Sequence, residues 1–124
     1  MTPAELRTTL LEFALSLPEA WRDAPWGEED VVVKVRKKIF AFLGSDEDPS
    51  SVTVKLRDGH GHAMSLPGAK PTGYGLGRHG WVSLPLAEVA EDVELLCDWV
   101  EESYRLVAPK TLVARLDADA DPAV

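Results

Sequence analysis

The stretch Val31-Val-Val-Lys-Val-Arg-Lys-Lys-Ile-Phe-Ala-Phe-Leu43 decides the fold, because it is the longest run rich in β-branched and aromatic residues in the chain. Such residues suit a pleated, half-buried surface, and the basic pair Arg36-Lys37 divides the run into the two strands of a hairpin. With that pair as the turn, opposed residues share a face. Val31, Val33, Phe40 and Phe42 then line one side, the expected core, and Val32, Lys34, Ile39 and Ala41 line the other. A two-residue turn prefers Asn or Gly at positive φ and neither is present, so a longer loop or a register shifted by one stays open.

Downstream, Gly44 to Ser51 is a polar loop with strong turn chemistry. Its acids lack the glycine and distal glutamate offsets of a calcium loop, and a solvated turn is expected. Val52, Val54 and Leu56 alternate with Thr53, Lys55 and Arg57, the period of a half-buried strand with Lys55 and Arg57 facing out. Asp58-Gly-His-Gly-His62 offers two histidines, but a zinc site needs three or four ligands; no metal and no cofactor is expected. His62 to Leu66 reads as one helical turn. Pro71 to Leu84 reads as a second hairpin with Arg78 and His79 at its tip, since its spaced glycines match neither the dinucleotide fingerprint nor the nucleotide P-loop.

Upstream, Thr2-Pro3-Ala4-Glu5 has the form of a capping box with proline at the first helical position. Leu6, Leu10, Phe13 and Leu17 follow at helical spacing, which predicts a helix from Pro3 to about Leu17. Pro18 to Gly27 reads as an ordered connection whose Trp21 and Trp26 close the edge of a core, or else form a ligand wall. After Pro85, Val89, Val93, Leu96, Val100, Tyr104 and Val107 mark one face of a long amphipathic helix with an acidic exterior. Trp81 is expected to fill space between sheet and helix, and Tyr104 to find a hydroxyl partner. Lys110 to Leu116 can form a further short helix, and residues 117–124 are expected to be a disordered acidic tail.

The chain has 124 residues and a formal net charge of -8, enough for one domain over residues 1–116 with a proper core. Its acidity opposes wholesale coating of nucleic acid or membrane, although local basic patches can override the mean. One cysteine, Cys97, rules out an internal disulfide framework, and no apolar run approaches a membrane span. The N-terminus lacks the build of a signal peptide, so a cytoplasmic bacterial protein is the expectation. Ser65, Ser83, Ser103 and the histidines sit in no recognisable nucleophile elbow or spaced acid-base pair, so no catalytic residue is assigned.

Several stretches together resemble the MmcQ/YjbR family of small bacterial proteins. Val33-Lys-Val-Arg-Lys-Lys-Ile-Phe-Ala41 looks like its strand-turn-strand, Val54-Lys55-Leu56 like its next strand, and Arg78-His-Gly-Trp-Val-Ser83 like its histidine-tryptophan strand. Glu102-Ser-Tyr-Arg-Leu-Val107 followed by Lys110 resembles its C-terminal helix signature. The resemblance implies an α+β fold similar to frataxin-like CyaY proteins, with a twisted antiparallel sheet of about five strands packed on N- and C-terminal helices in two layers. It also implies a non-enzymatic protein that binds DNA through hairpin wings. Phosphate contacts are then expected from Lys34, Arg36, Lys37, Lys38, Lys55, Arg57 and Arg78, with His79 as a lesser candidate. The alternative is a module that binds a small molecule or a protein, with Trp21, Trp26 and the sheet face as a shallow pocket.

Overall fold

A computed structural model describes residues 1–27, 30–44, 50–73, 75–89 and 92–120. Helix α1 spans Pro3–Leu15 and opens on the expected capping box, with the Thr2 hydroxyl accepting the Glu5 N–H at 3.1 Å and the Glu5 carboxylate accepting the Thr2 N–H at 3.4 Å. Its inner face buries Leu6, Leu10, Leu11 and Ala14. Arg7 is buried there too, donating from Nε to the Leu43 carbonyl at 2.7 Å and from its terminal nitrogen to that of Gly44 at 3.3 Å. An N-terminal helix is thereby tied to the far end of the central hairpin.

The sheet is antiparallel and six-stranded in the order β1-β2-β3-β4-β6-β5, with β1 at Ala20–Asp23, β2 at Val31–Val35, β3 at Lys38–Gly44, β4 at Ser51–Lys55, β5 at Lys70–Pro71 and β6 at Trp81–Pro85. The tight turn at Arg36-Lys37 is real, since Val35 pairs with Lys38. Arg36 adopts φ 56° to make it, a left-handed conformation that costs a non-glycine residue roughly 1–2 kcal/mol. The Trp21 indole N–H donates to the Arg36 carbonyl at 2.8 Å and braces the turn. Strand β1 was not expected: four residues between Pro18 and Pro25 read as a connection, and pairing with β2 along its full length makes them an edge strand.

The expected facing of the hairpin needs correction. Two register shifts, at Val31/Val32 and Val33/Lys34, insert extra residues into β3, and each bulge flips the alternation that follows it. Phe40, Ala41 and Leu43 consequently all join the core with Val31, Val33 and Val35, while Phe42 leaves it for the opposite face. Between the two bulges, β3 and β4 pair only through Ala41–Val54 and Phe42–Thr53. The buried Ser103 hydroxyl bridges the strands where that ladder stops, donating to the Phe40 carbonyl at 2.6 Å and accepting the Lys55 N–H at 2.9 Å.

The expected long second helix is broken. A short α3 covers Leu86–Val89, and α4 covers Val93–Val107 with Asp92 at its N-cap. α4 buries Leu96, Trp99, Val100, Ser103 and Tyr104. Helices α1 and α4 lie on one face of the sheet, sharing a single core with its strands as the periodicity predicts. Tyr104 is fully buried, its ring edge-on to Phe40 at 5.3 Å and its hydroxyl donating to the Pro18 carbonyl at 2.7 Å. Burial, the main cause, pushes this phenol above its ordinary value.

A small helix α2 covers His60–Met64, and a 3₁₀ turn at Gly77–His79 leads into β6. The last helix, α5, runs Lys110–Ala120, so the boundary expected at Asp117 falls inside a helix, and Asp117 pairs with Arg105 at 2.7 Å. The remaining tail residues, 121–124, and residues 45–49 of the acidic turn lie outside the described residues. Among the described residues, no helix is long and apolar enough to cross a membrane.

Candidate functional site

With both long helices on one side, the other face of the sheet is left open. Alternation in β6 sends Val82 and Leu84 to the core and therefore Trp81 and Ser83 to the open face. Trp81 pairs in register with Lys55 and packs edge-on against Phe42, ring centroids 5.6 Å apart. Trp26 lies parallel to Phe42 within 8°, at 6.3 Å. These rings, with Pro25, Ile39, Leu76 and, at the end of α4, Val107, line a shallow concavity of about 460 Å³. Trp81 is its recessed floor at 8% exposure, whereas Trp26 stands at its edge, 63% exposed.

This placement corrects two expectations. Trp81 does not fill the gap between sheet and helix. Trp26 and Trp21, the latter 43% exposed, do not close the edge of the core. The Val82/Leu84 alternation was a legible signal for Trp81; for Phe42 no signal existed, because the bulges follow from no local residue pattern.

Lysines gather around the rings. Lys34, Lys37, Lys38 and Lys55 line the same concavity. Lys34 is the restrained one: its ammonium meets Asp23 at 2.6 Å and lies 5.2 Å from the centre of the Trp21 ring. That hydrogen bond is the chief reason the Asp23 carboxyl is held below its ordinary value. Among the described residues, no carboxylate lies within ion-pair distance of Lys37, Lys38 or Lys55.

The other expected phosphate contacts are more scattered. Arg36 reaches Glu19 at 3.5 Å and lines a second hollow at the α4–α5 corner with Lys37, Lys38 and Lys110, so the two tip lysines border both hollows. Arg57 lies beyond the end of β4. Its side chain meets Asp58 at 3.5 Å, and its backbone N–H donates to the Glu102 carboxylate at 2.6 Å. Arg78 and His79 are exposed on the 3₁₀ turn, just past Leu76.

A row of hydroxyls completes the face. Thr53 and Ser83 are hydrogen-bonded at 2.9 Å, and Ser83 and Thr72 at 3.0 Å. His62, by contrast, packs edge-on against Trp99 at 5.3 Å, on the helical side of the molecule. The Glu102-Ser-Tyr signature is structural throughout: Glu102 holds the backbone N–H groups of Arg57 and Gly59, Ser103 bridges the strands, and Tyr104 ties α4 to Pro18.

A two-layer α+β domain with an open, aromatic and basic sheet face is the class these features define. The chain belongs to the YjbR family, whose model matches residues 15–106. It is similar along 94% of its length to 91% of a protein of known crystal structure, Deinococcus radiodurans DR2400 of the DUF419 family, with 25% identity and a TM-score of 0.60. No curated protein matches the chain.

Proposed function

We propose that the protein is a binding module, not an enzyme, and that its open sheet face binds nucleic acid. One observation carries this reading. On a chain of net charge -8, lysines without carboxylate partners among the described residues converge with Lys34 around an aromatic concavity. Local positive charge of this kind is what phosphate backbones require, and each neutralised phosphate releases counterions. Lys37, Lys38 and Lys55 make the principal contacts. Arg36, Arg57, Arg78 and His79 are outlying ones, the first two already partnered by acids.

The test is a titration of labelled oligonucleotides at several salt concentrations. Affinity falls steeply with salt, and replacing Lys37, Lys38 and Lys55 together by alanine reduces the magnitude of the log–log slope by about two to three units. Equal slopes for the two proteins, or no binding at low salt, remove nucleic acid as the ligand of this face. A second reading has its own support: a concavity of about 460 Å³ lies in the range of small-ligand sites. A free anionic molecule with a planar ring is then the ligand, and it saturates the face without any oligomer.

A further inference from the structure

Building on the nucleic-acid reading, we infer that the face takes unpaired bases, so that the protein binds single strands in preference to duplex. Phosphate binding alone needs only cations; Trp21 braces the Arg36 turn and carries Lys34, but the outer face of Trp26 is left without a role. Trp26, 63% exposed, and Trp21, 43% exposed, keep large aromatic surface in water, and both border the lysines. Lys34 sits over the Trp21 ring, and Trp26 shares the concavity with Lys37, Lys38 and Lys55.

The geometry of the rings decides what meets them. The floor, Trp81, is recessed, and Phe42 stands edge-on to it. A duplex keeps its base faces inside the stack and offers phosphates outermost, so it cannot reach a recessed floor. A single strand can turn its bases in while its backbone follows the rim of lysines, and base–aromatic stacking is tolerant of sequence. Trp26, held parallel to Phe42, presents its outer face to such a base. The half-buried Thr72 and Ser83 hydroxyls run beside Trp81 and keep spare acceptor capacity for base edges or sugar, with the buried Thr53 hydroxyl behind them.

The experiment compares four labelled or competing probes at one salt concentration: a single-stranded oligomer, its duplex, an abasic strand of equal length, and a mononucleotide. The single strand is expected to bind on the order of tenfold tighter than duplex or abasic strand for each base that stacks. Trp26→Ala is expected to lower single-strand affinity by about tenfold, towards the abasic level, with little change in abasic binding, and Trp26→Phe to retain most of the difference. Far-ultraviolet circular dichroism and the urea midpoint, both expected to match the wild type, check that these substitutions leave the fold intact. Duplex or abasic strand binding as tightly as the single strand overturns the inference while leaving nucleic-acid binding standing. A mononucleotide as tight as the oligomer overturns it in favour of a small ligand. No binding by any probe at low salt overturns both.

Discussion

At the scale of single residues, Asp23 sets how much of the basic face is available. Its carboxylate holds Lys34 at 2.6 Å and so cancels one of the charges around the concavity. Asp23→Asn is expected to strengthen nucleic-acid binding and to steepen its salt dependence by up to about 0.7 in log–log slope for a single strand. A titration in which Asp23→Asn matches the wild type at every salt concentration shows Lys34 to be outside the contact. The pH dependence has a defined sign. Because the folded carboxyl is depressed, chiefly by the Lys34 hydrogen bond, its contribution to stability is present above the ordinary unfolded value and lost as pH falls through the lower folded value. In Asp23→Asn this part of the acid-side loss disappears.

Phe40 belongs to the same scale and to the opposite layer. It is fully buried and meets Tyr104 edge-on, so Phe40→Ala is expected to lower stability by about 3–5 kcal/mol. An unchanged urea midpoint contradicts its place in the core. Phe40 was readable from the alternating pattern of the hairpin, whereas Phe42 was not. The two differ by two positions and ordinary alternation puts them on one face; the bulges that part them lie in the pairing of β3 with β2, while β3 meets β4 in one register. A partner-dependent distortion leaves no mark in the local sequence.

At the scale of elements, the helices were the most legible parts, because caps and apolar spacing are local. Thr2-Pro-Ala-Glu5 announced α1 through groups only three residues apart. Strand β1 was illegible for the converse reason: its identity comes from pairing with β2 and from Trp21 bracing the Arg36 turn. Two devices hold the elements in register and can be probed separately. Ser103→Ala leaves the Phe40 carbonyl and the Lys55 N–H without their buried bridge and is expected to cost about 1–3 kcal/mol in urea denaturation. A midpoint within experimental error of the wild type shows that the strands close on each other unaided.

Gly80 is the second device. It has φ 91°, and a Cβ built on it collides with the Leu56 carbonyl, against which β6 begins. Leu56 donates its N–H to the Gly80 carbonyl at 2.9 Å, so the contact cannot open without loss of that bond. Gly80→Ala is expected to destabilise by more than the roughly 1–2 kcal/mol of the left-handed conformation alone, since backbone must also shift. A loss of less than about 1 kcal/mol indicates a turn that rebuilds freely.

For the whole molecule, the proposed function raises the question of how a body of charge -8 would hold a polyanion. One acidic pair is set apart from the lysines: Lys55 lines the open face with Lys37 and Lys38 at its rim, while Glu94 and Asp98 flank Cys97 on the outer side of α4, beside Phe13 of α1. A helix layer about 10 Å thick stands between them. That thickness exceeds the Debye length of about 8 Å at physiological ionic strength but falls well inside the 30 Å reached near 0.01 M. Neutralising both acids, as Glu94→Gln with Asp98→Asn, is therefore expected to strengthen nucleic-acid binding at 0.01 M salt and to leave it unchanged at physiological salt. Lys55→Ala is expected to weaken binding under both conditions, because its proposed contact is direct. Equal effects of the acid pair at both salt concentrations place the nucleic acid on the helical side instead, where direct repulsion from Glu94 and Asp98 persists at any screening.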